Sequence, residues 1–339
     1  MTRVNPFSIE TASLAVAQII DRQREIEFIS EHLLRRHENV LVTGTFGIGK
    51  TCLLRKFREL ALEQKGSSIL FVEMEMFSVS EDPAQFLSDV LLKLFQEMWT
   101  SVLHMPFSEL IAGLQSTKGM QQALLPSIER MLQLYRIVRP TEIVSQYEKD
   151  RALGVEKILK SVVSERTVND LTRGPLKPLE FIHLTFELLD LLSGHGIERT
   201  IVFGDEANHI DPNLEIEIFR RNFEIFSQRN LQFVFTAREE LLERVPRIHE
   251  AFPALLNLRG FTSDDTLEEL LKVYLQQIEL PTFSRKAQEY IWRISLGHPR
   301  EIQRLCQACT EIAYAENSET VNEETVLKAC LSQYAFIPR

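Results

Sequence analysis

Eight consecutive residues, Gly44-Thr45-Phe46-Gly47-Ile48-Gly49-Lys50-Thr51, fit G-x-x-x-x-G-K-[ST], and the chemistry that pattern serves is the holding of a polyphosphate. Its glycines let the backbone turn back on itself with N–H groups pointing inward. A helix opening at that point adds its partial positive charge. Lys50 is placed to reach β- and γ-phosphate oxygens as a point charge, and the Thr51 hydroxyl to ligate a bridging Mg²⁺. The segment through Cys52 is therefore the candidate nucleotide-binding element, with ATP and Mg²⁺ as its expected ligands. Its flanks agree: the apolar run Val40-Leu41-Val42-Thr43 reads as a strand, and Cys52-Leu53-Leu54-Arg55-Lys56-Phe57 as helix.

A second group of reactive side chains ends another apolar run. Thr200-Ile201-Val202-Phe203-Gly204 leads into Asp205-Glu206, at the carboxyl end of a strand, where open α/β sheets bind ligands. Asp205 would hold Mg²⁺ through its water shell, and Glu206 would polarise the attacking water as general base. Thr236-Ala237-Arg238 ends the next strand, so Thr236 or Arg238 could face the γ-phosphate, or Arg238 is merely exposed at a loop start. Arg300, in Gly297-His298-Pro299-Arg300, could reach a nucleotide across a cleft by bidentate contact. Arg244 and Arg247 could instead complete a neighbouring subunit's site as an arginine finger, against the plainer reading of surface arginine. Cys306 and Cys309 look like half a metal site, but at i, i+3 in an apolar-periodic helix they read as core.

The elements that position these groups alternate between two periods. Ile69-Leu70-Phe71-Val72-Glu73-Met74-Glu75, Leu231-Gln232-Phe233-Val234-Phe235-Thr236 and Leu255-Leu256-Asn257-Leu258 read as further strands. Helical patterns fall between them: from Ile19 to Leu34 ahead of the first strand, from Asp82-Pro83 onward, Leu179 to Leu192, and Leu214 to Gln228. Strands separated by helices predict a parallel sheet covered on both faces. From Thr262 onward the sequence reads all-helical: Asp264 to Gln277, Ser284 to Ser295, Pro299 to Ala315 and Asn322 to Tyr334. Between about 101 and 178 the pattern is helical without a nucleotide motif, an excursion too long for a simple connection of about 2–6 residues. It is expected to be an inserted element serving partner docking or self-assembly, with Leu132, Leu134, Ile158 and Leu159 among its apolar positions. The expected organisation is thus an α/β core over 1–260 with that insertion, and a helical domain over 261–339.

Composition narrows the class. The chain has 339 residues, 44 % hydrophobic and 25 % charged, with a net charge of −10. That balance suits a globular protein and lacks the global basic field that dominates non-specific nucleic-acid binding. No apolar run approaches the roughly 20 residues needed to cross a bilayer, and four scattered cysteines form no disulfide framework, so a cytoplasmic protein is expected.

With these residues in hand, the chain resembles the AAA+ ATPases of the branch that includes origin-recognition initiators, transposon-encoded target-selection ATPases, related secretion-pathway ATPases and STAND signalling ATPases. The resemblance rests on Asn5-Pro6-Phe7, Asp21-Arg22-Gln23-Arg24-Glu25-Ile26, the phosphate-binding loop, Asp205-Glu206-Ala207-Asn208-His209-Ile210, Thr236-Ala237-Arg238, Gly297-His298-Pro299-Arg300 and Val321-Asn322-Glu323-Glu324-Thr325-Val326. It implies a P-loop NTPase sheet of the AAA+ (ASCE) kind with a C-terminal helical lid gripping the nucleotide. It further implies that Ile20 to Arg22 line the adenine site, that Thr236-Ala237-Arg238 is similar to the sensor 1 motif of STAND proteins, and that Arg300 stands in the sensor 2 segment. The chain is therefore expected to be an ATP-binding, Mg²⁺-dependent ATPase that works as a conformational switch, oligomerising or engaging a partner protein. The alternatives are a matchmaker loaded on DNA, with Arg220, Arg221 and Arg229 as its basic residues, and a scaffold that binds nucleotide with little turnover. Gly204 departs from the pattern, standing where an aliphatic residue usually precedes the acidic pair. Within the 339 residues no winged-helix segment is expected after the helical domain, and the insertion has no counterpart.

Overall fold

The computed structural model describes residues 22–65, 68–75, 90, 93–94, 97, 178–205, 207, 226, 230–245, 247–262, 265–275 and 281–334. Asn5-Pro6-Phe7, Ile20, Glu206, Arg229, the expected helix from Leu214 to Gln228 with Arg220 and Arg221 except for Phe226, and the expected insertion short of Pro178 lie outside the described residues.

Five strands form one parallel sheet: β1 (Val40–Thr43), β2 (Ile69–Glu75), β3 (Arg199–Asp205), β4 (Leu231–Ala237) and β5 (Ala254–Asn257). Their spatial order is β2-β3-β4-β1-β5. Every residue of β1 and β4 is buried, as expected of a parallel sheet covered on both faces. The period of two divides the core. Val40 and Val42 of β1, Val234 of β4 and Ile201 and Phe203 of β3 pack with Ile26, Ile29 and Leu33 from the helical segment ahead of β1 and with Leu53, Phe57 and Ala61 from the helix after it. Phe203 stacks on Phe71 of β2 at 5.3 Å between ring centres. The other β4 rings, Phe233 and Phe235, meet Phe226 and Phe252. Asn39 joins that aromatic face to the chain, donating to the Phe226 and Ala251 carbonyls and accepting from Phe233 N at 2.8 Å.

The leading helical segment has two parts, α1 (Gln23–Ser30) and a wider π-helical turn, Glu31–Arg36, closed by His37 in the left-handed region at φ 59°. Arg199, at the start of β3, donates to the carbonyls of Leu33 and Leu34 and so satisfies acceptors that a helix end leaves open. The helix after β1 is α2 (Lys50–Lys65), and α3 (Pro178–Gly194) precedes β3. Two short helices, α4 (Glu240–Arg244) and α5 (Ile248–Ala251), separate β4 from β5.

Beyond β5 come α6 (Asp265–Leu275), α7 (Arg285–Ser295), α8 (Pro299–Ala315) and α9 (Glu323–Tyr334). They share a core of their own around Leu267, Leu271, Ile291, Ile302, Leu305 and Val326. The segment is not purely helical. Two-residue strands β6 (Thr282–Phe283) and β7 (Thr320–Val321) pair in parallel, burying Phe283 and Val321. A pair that short has no period for sequence reading to detect. Caps mark the helix starts: Ser284 accepts from Ala287 N, and Asn322 from Thr325 N. Cys306, Cys309 and Cys330 lie fully buried in this core, and burial pushes the Cys309 thiol up to about 12 and Cys306 well above the usual range. They are small apolar groups here, not thiolates ready for a metal.

Candidate nucleotide-binding site

The loop from Gly44 to Gly49 joins β1 to α2 at the carboxyl end of the sheet. Its glycines sit at φ +149°, +81° and +100°, in the region that side-chain-bearing residues avoid. Two of them also sustain close approach. A Cβ on Gly44 would stand 2.7 Å from the Leu258 carbonyl oxygen, and one on Gly47 would stand 2.5 Å from Cδ of Arg300. Ile48 anchors the loop in the core at 2 % exposure, whereas Thr45, Phe46 and Cys52 face outward.

Lys50 is buried. Its ammonium group donates to the carbonyls of Gly44 at 2.8 Å and Thr45 at 3.0 Å, bracing the loop around the point where its charge is held. The hydroxyl of Thr51 donates to Asp205 Oδ2 at 2.8 Å. Thr236, fully buried in β4, donates its hydroxyl to the other oxygen, Oδ1, at 2.6 Å. The strand order explains this arrangement: β4 lies between β1 and β3, so Thr236, next to the end of β4, is interposed between β1 and the acidic strand. The Asp205 carboxylate is oriented from two sides by neutral donors.

The donor set fits its expected ligands. A left-handed glycine loop at a helix start and a buried lysine suit a phosphate chain. A threonine hydroxyl beside a carboxylate offers the oxygen ligands that Mg²⁺ prefers, since that ion uses one or two carboxylates together with substrate phosphates and water. Among the described residues no group of three or more His, Cys, Asp or Glu could hold a metal by itself.

The helical segment meets this site through the turn before α8. Arg300 lays its stem on Gly47, and its guanidinium carbon stands 4.2 Å from the centre of the Phe46 ring. His298 Nε2 is 3.3 Å from the Thr45 hydroxyl. Burial holds the His298 imidazole below its ordinary value, with nearby Glu301 opposing that shift.

Other candidates lie apart. Arg238 is exposed in the loop after β4, and only its carbonyl engages α4, accepting from Leu241 N at 3.1 Å. Arg244 is exposed, and Arg247 is exposed with both arms on Glu250 at 2.6 and 2.8 Å. Arg22 directs its guanidinium to Arg259 and Phe261, on the connection leading from β5 to α6. Sequence reading does not reveal that contact or the role of Thr236 toward Asp205. The signals the sequence offers are an arginine at the start of a helical pattern and a threonine closing an apolar strand.

No protein-family profile and no curated protein matches the chain. Solved structures do. ORC1 of Aeropyrum pernix, determined in complex with DNA, aligns with a TM-score of 0.53 at 14 % identity, over 98 % of this chain and 69 % of that one. ORC2 of Aeropyrum pernix, in ADPNP-ADP complexes, gives 0.51 at 15 % identity over 95 % and 70 %. Drosophila ORC bound to DNA gives 0.53 at 16 % identity over 99 % and 67 %. At such identities the likeness speaks for architecture: the chain has the parallel-sheet α/β fold of the AAA+ P-loop NTPases.

Proposed function

We propose that this chain is a Mg²⁺-dependent AAA+ ATPase that works as a conformational switch, closing its C-terminal helices on ATP and thereby assembling with itself or engaging a partner effector. The observation that carries this reading is the convergence of the braced Lys50, the Thr51–Asp205–Thr236 node and Arg300 on one loop. Lys50 binds the β- and γ-phosphates, and the loop amides hold the chain of phosphates. Thr51 and Asp205 hold Mg²⁺, which neutralises charge on the phosphates when bound. Thr236 fixes the Asp205 carboxylate, Glu206 accepts a proton from the attacking water, and Arg300 reports closure from the helical side. Ile20 and the backbone as far as Arg22 border the adenine. The helices over 261–339 act as the lid, and Arg244 or Arg247 reaches the neighbouring subunit's nucleotide. The insertion between about 101 and 178 supplies docking surface.

The test is light scattering of the purified chain with Mg²⁺ and ATP or ADP, paired with hydrogen exchange over residues 296–300. ATP-specific protection with ATP-specific assembly or partner capture supports the switch. Equal behaviour with both nucleotides overturns it.

A second reading is favoured by one observation: two of the similar structures were determined with DNA. On that reading the switch is loaded on duplex DNA, and its ATPase is stimulated by duplex in a salt-sensitive manner. No stimulation at low salt rejects it.

A further inference from the structure

Arg22 is buried, with 7 % of its side chain exposed. Burying a guanidinium is costly unless its donors are met, so its partners indicate its work. One arm donates to Glu25 Oε1 at 2.8 Å, within α1. The other crosses 237 residues of sequence to the carbonyl of Arg259 at 2.7 Å, and the guanidinium carbon lies 5.0 Å from the centre of the Phe261 ring. Both distant partners belong to the connection between β5 and α6.

That connection is held on its other flanks too. Leu258 N donates to the Thr43 carbonyl at the end of β1, and Phe261 N to the Gly297 carbonyl, each at 2.8 Å. Gly297, at φ +71°, passes so close that a Cβ would stand 2.4 Å from the Phe261 carbonyl oxygen. A Cβ on Gly260 would stand 3.0 Å from the Leu296 carbonyl oxygen. The connection is thus pressed between Arg22 and the turn at Leu296-Gly297. That same turn leads directly into His298 and Arg300, which touch Thr45 and Phe46 of the phosphate-binding loop.

We infer that Arg22 is a positioning residue that clamps the Leu258–Phe261 connection and through it sets how the C-terminal helices meet the phosphate-binding loop, a role that rests on the lid reading above. The connection is then a set pivot rather than a loose tether. With the clamp intact, most molecules already hold the turn where it meets the loop; without it, fewer do, and apparent nucleotide affinity falls by that fraction. The side chain would act on the lid and not on the base.

Hydrogen exchange of the full-length chain without nucleotide tests the clamp independently of ATP. Arg22→Ala should speed exchange of the Phe261 amide and of residues 296–300 by about tenfold, the scale of one lost hydrogen bond to a charged group. Residues 231–237 in β4 should be unchanged. Arg22→Lys, which keeps the charge but loses the two-armed fork, and Phe261→Leu, which removes the ring, should fall between, and they decide the matter if Arg22→Ala does not fold. ATP affinity should drop in the same order with the preference for ATP over GTP preserved. Exchange within about twofold of wild type in these variants overturns the clamp. So does loss of the ATP-over-GTP preference with unchanged exchange, which would put Arg22 at the base. If the wild-type chain binds no ATP, the nucleotide reading fails while the exchange result still decides the clamp.

Discussion

The carboxyl ends of β3 and β4 and the loop that follows β4 treat charge in opposite ways. Asp205 is half-buried, with each oxygen accepting a hydroxyl from a different element, Thr51 at the start of α2 and Thr236 in β4. Arg238, Arg244 and Arg247 follow within one short stretch, and all three are exposed. Arg247 engages Glu250 three residues along, a local pair that any solvent-facing turn could make. A carboxylate oriented by two parts of the fold has its geometry set by the fold, so altering it or its donors must act on the same chain. A guanidinium on an exposed turn is oriented by little, so it has consequence only where another molecule presents something to it. In the first region the fold fixes where the charge stands; in the second the charges are left facing solvent.

Substitutions can break this contrast or sharpen it. The largest effect should come from Lys50→Ala, which removes both the charge offered to phosphates and the brace on the Gly44 and Thr45 carbonyls. ATP binding, followed by calorimetry, should weaken by on the order of a hundredfold or more. Retained affinity would mean the loop is not the site. Next is Glu206→Gln, expected to bind ATP normally while turnover falls by about a hundredfold to ten-thousandfold, since an amide cannot take up the proton. Wild-type turnover would remove Glu206 from the chemistry.

Thr236→Val keeps the shape of a buried β-branched residue and deletes one hydroxyl. Because it leaves Asp205 Oδ1 short of a donor, Mg²⁺-dependent turnover should fall by about tenfold, with Thr236→Ser restoring most of it. A loss in ATP affinity at saturating Mg²⁺ with unchanged Mg²⁺ dependence would instead make Thr236 a phosphate contact. Acidification should expose a smaller effect at His298. Its folded value lies below the ordinary 6.5, so the unfolded chain takes up that proton more readily. The stability it contributes is complete above 6.5 and is lost as pH falls through the folded value. The difference between wild type and His298→Gln in denaturant midpoint should therefore shrink on acidification; a constant difference would show that the imidazole does not titrate in that window. Smallest of all, Arg247→Ala should leave the isolated chain's stability and ATP affinity within about twofold, as removal of an exposed pair does. Its effect should fall on turnover of the assembled form: mixing Arg247→Ala with Glu206→Gln chains should recover turnover that neither has alone. Failure of the mixture at concentrations where the wild type assembles would leave Arg247 as plain surface.

The glycine-lysine-threonine loop and the apolar strands were legible because their determinants are local: fixed types at fixed spacing, and runs of β-forming residues between helical stretches. Pro299 at the start of α8 and the Asn322 cap before α9 were legible for the same reason. The contacts that build the site were not, because they depend on which strands are neighbours. Sequence order places Asp205 and Thr236 on successive strands, but only the spatial order β2-β3-β4-β1-β5 puts a threonine hydroxyl between the loop and the carboxylate. The Arg22–Arg259 bond spans 237 positions, and neither residue carries a periodic signal pointing to the other. The short β6–β7 pair escaped because two residues are too few for alternation to register.

Strand register has one more consequence. Val42 stands beside Thr236 and Thr43 beside Ala237 in the β1–β4 pairing. Slipping β4 by a single residue would bring Phe235 or Ala237 to the place of Thr236, and the same slip would turn Phe233 and Phe235 away from Phe226 and Phe252 toward the opposite face. A mispaired molecule would thus lose its aromatic packing and its Asp205 donor in one event. On the nucleotide-binding reading proposed above, the site would proofread the sheet: in a refolded preparation, the fraction of chains that bind nucleotide would count those whose strands have paired correctly.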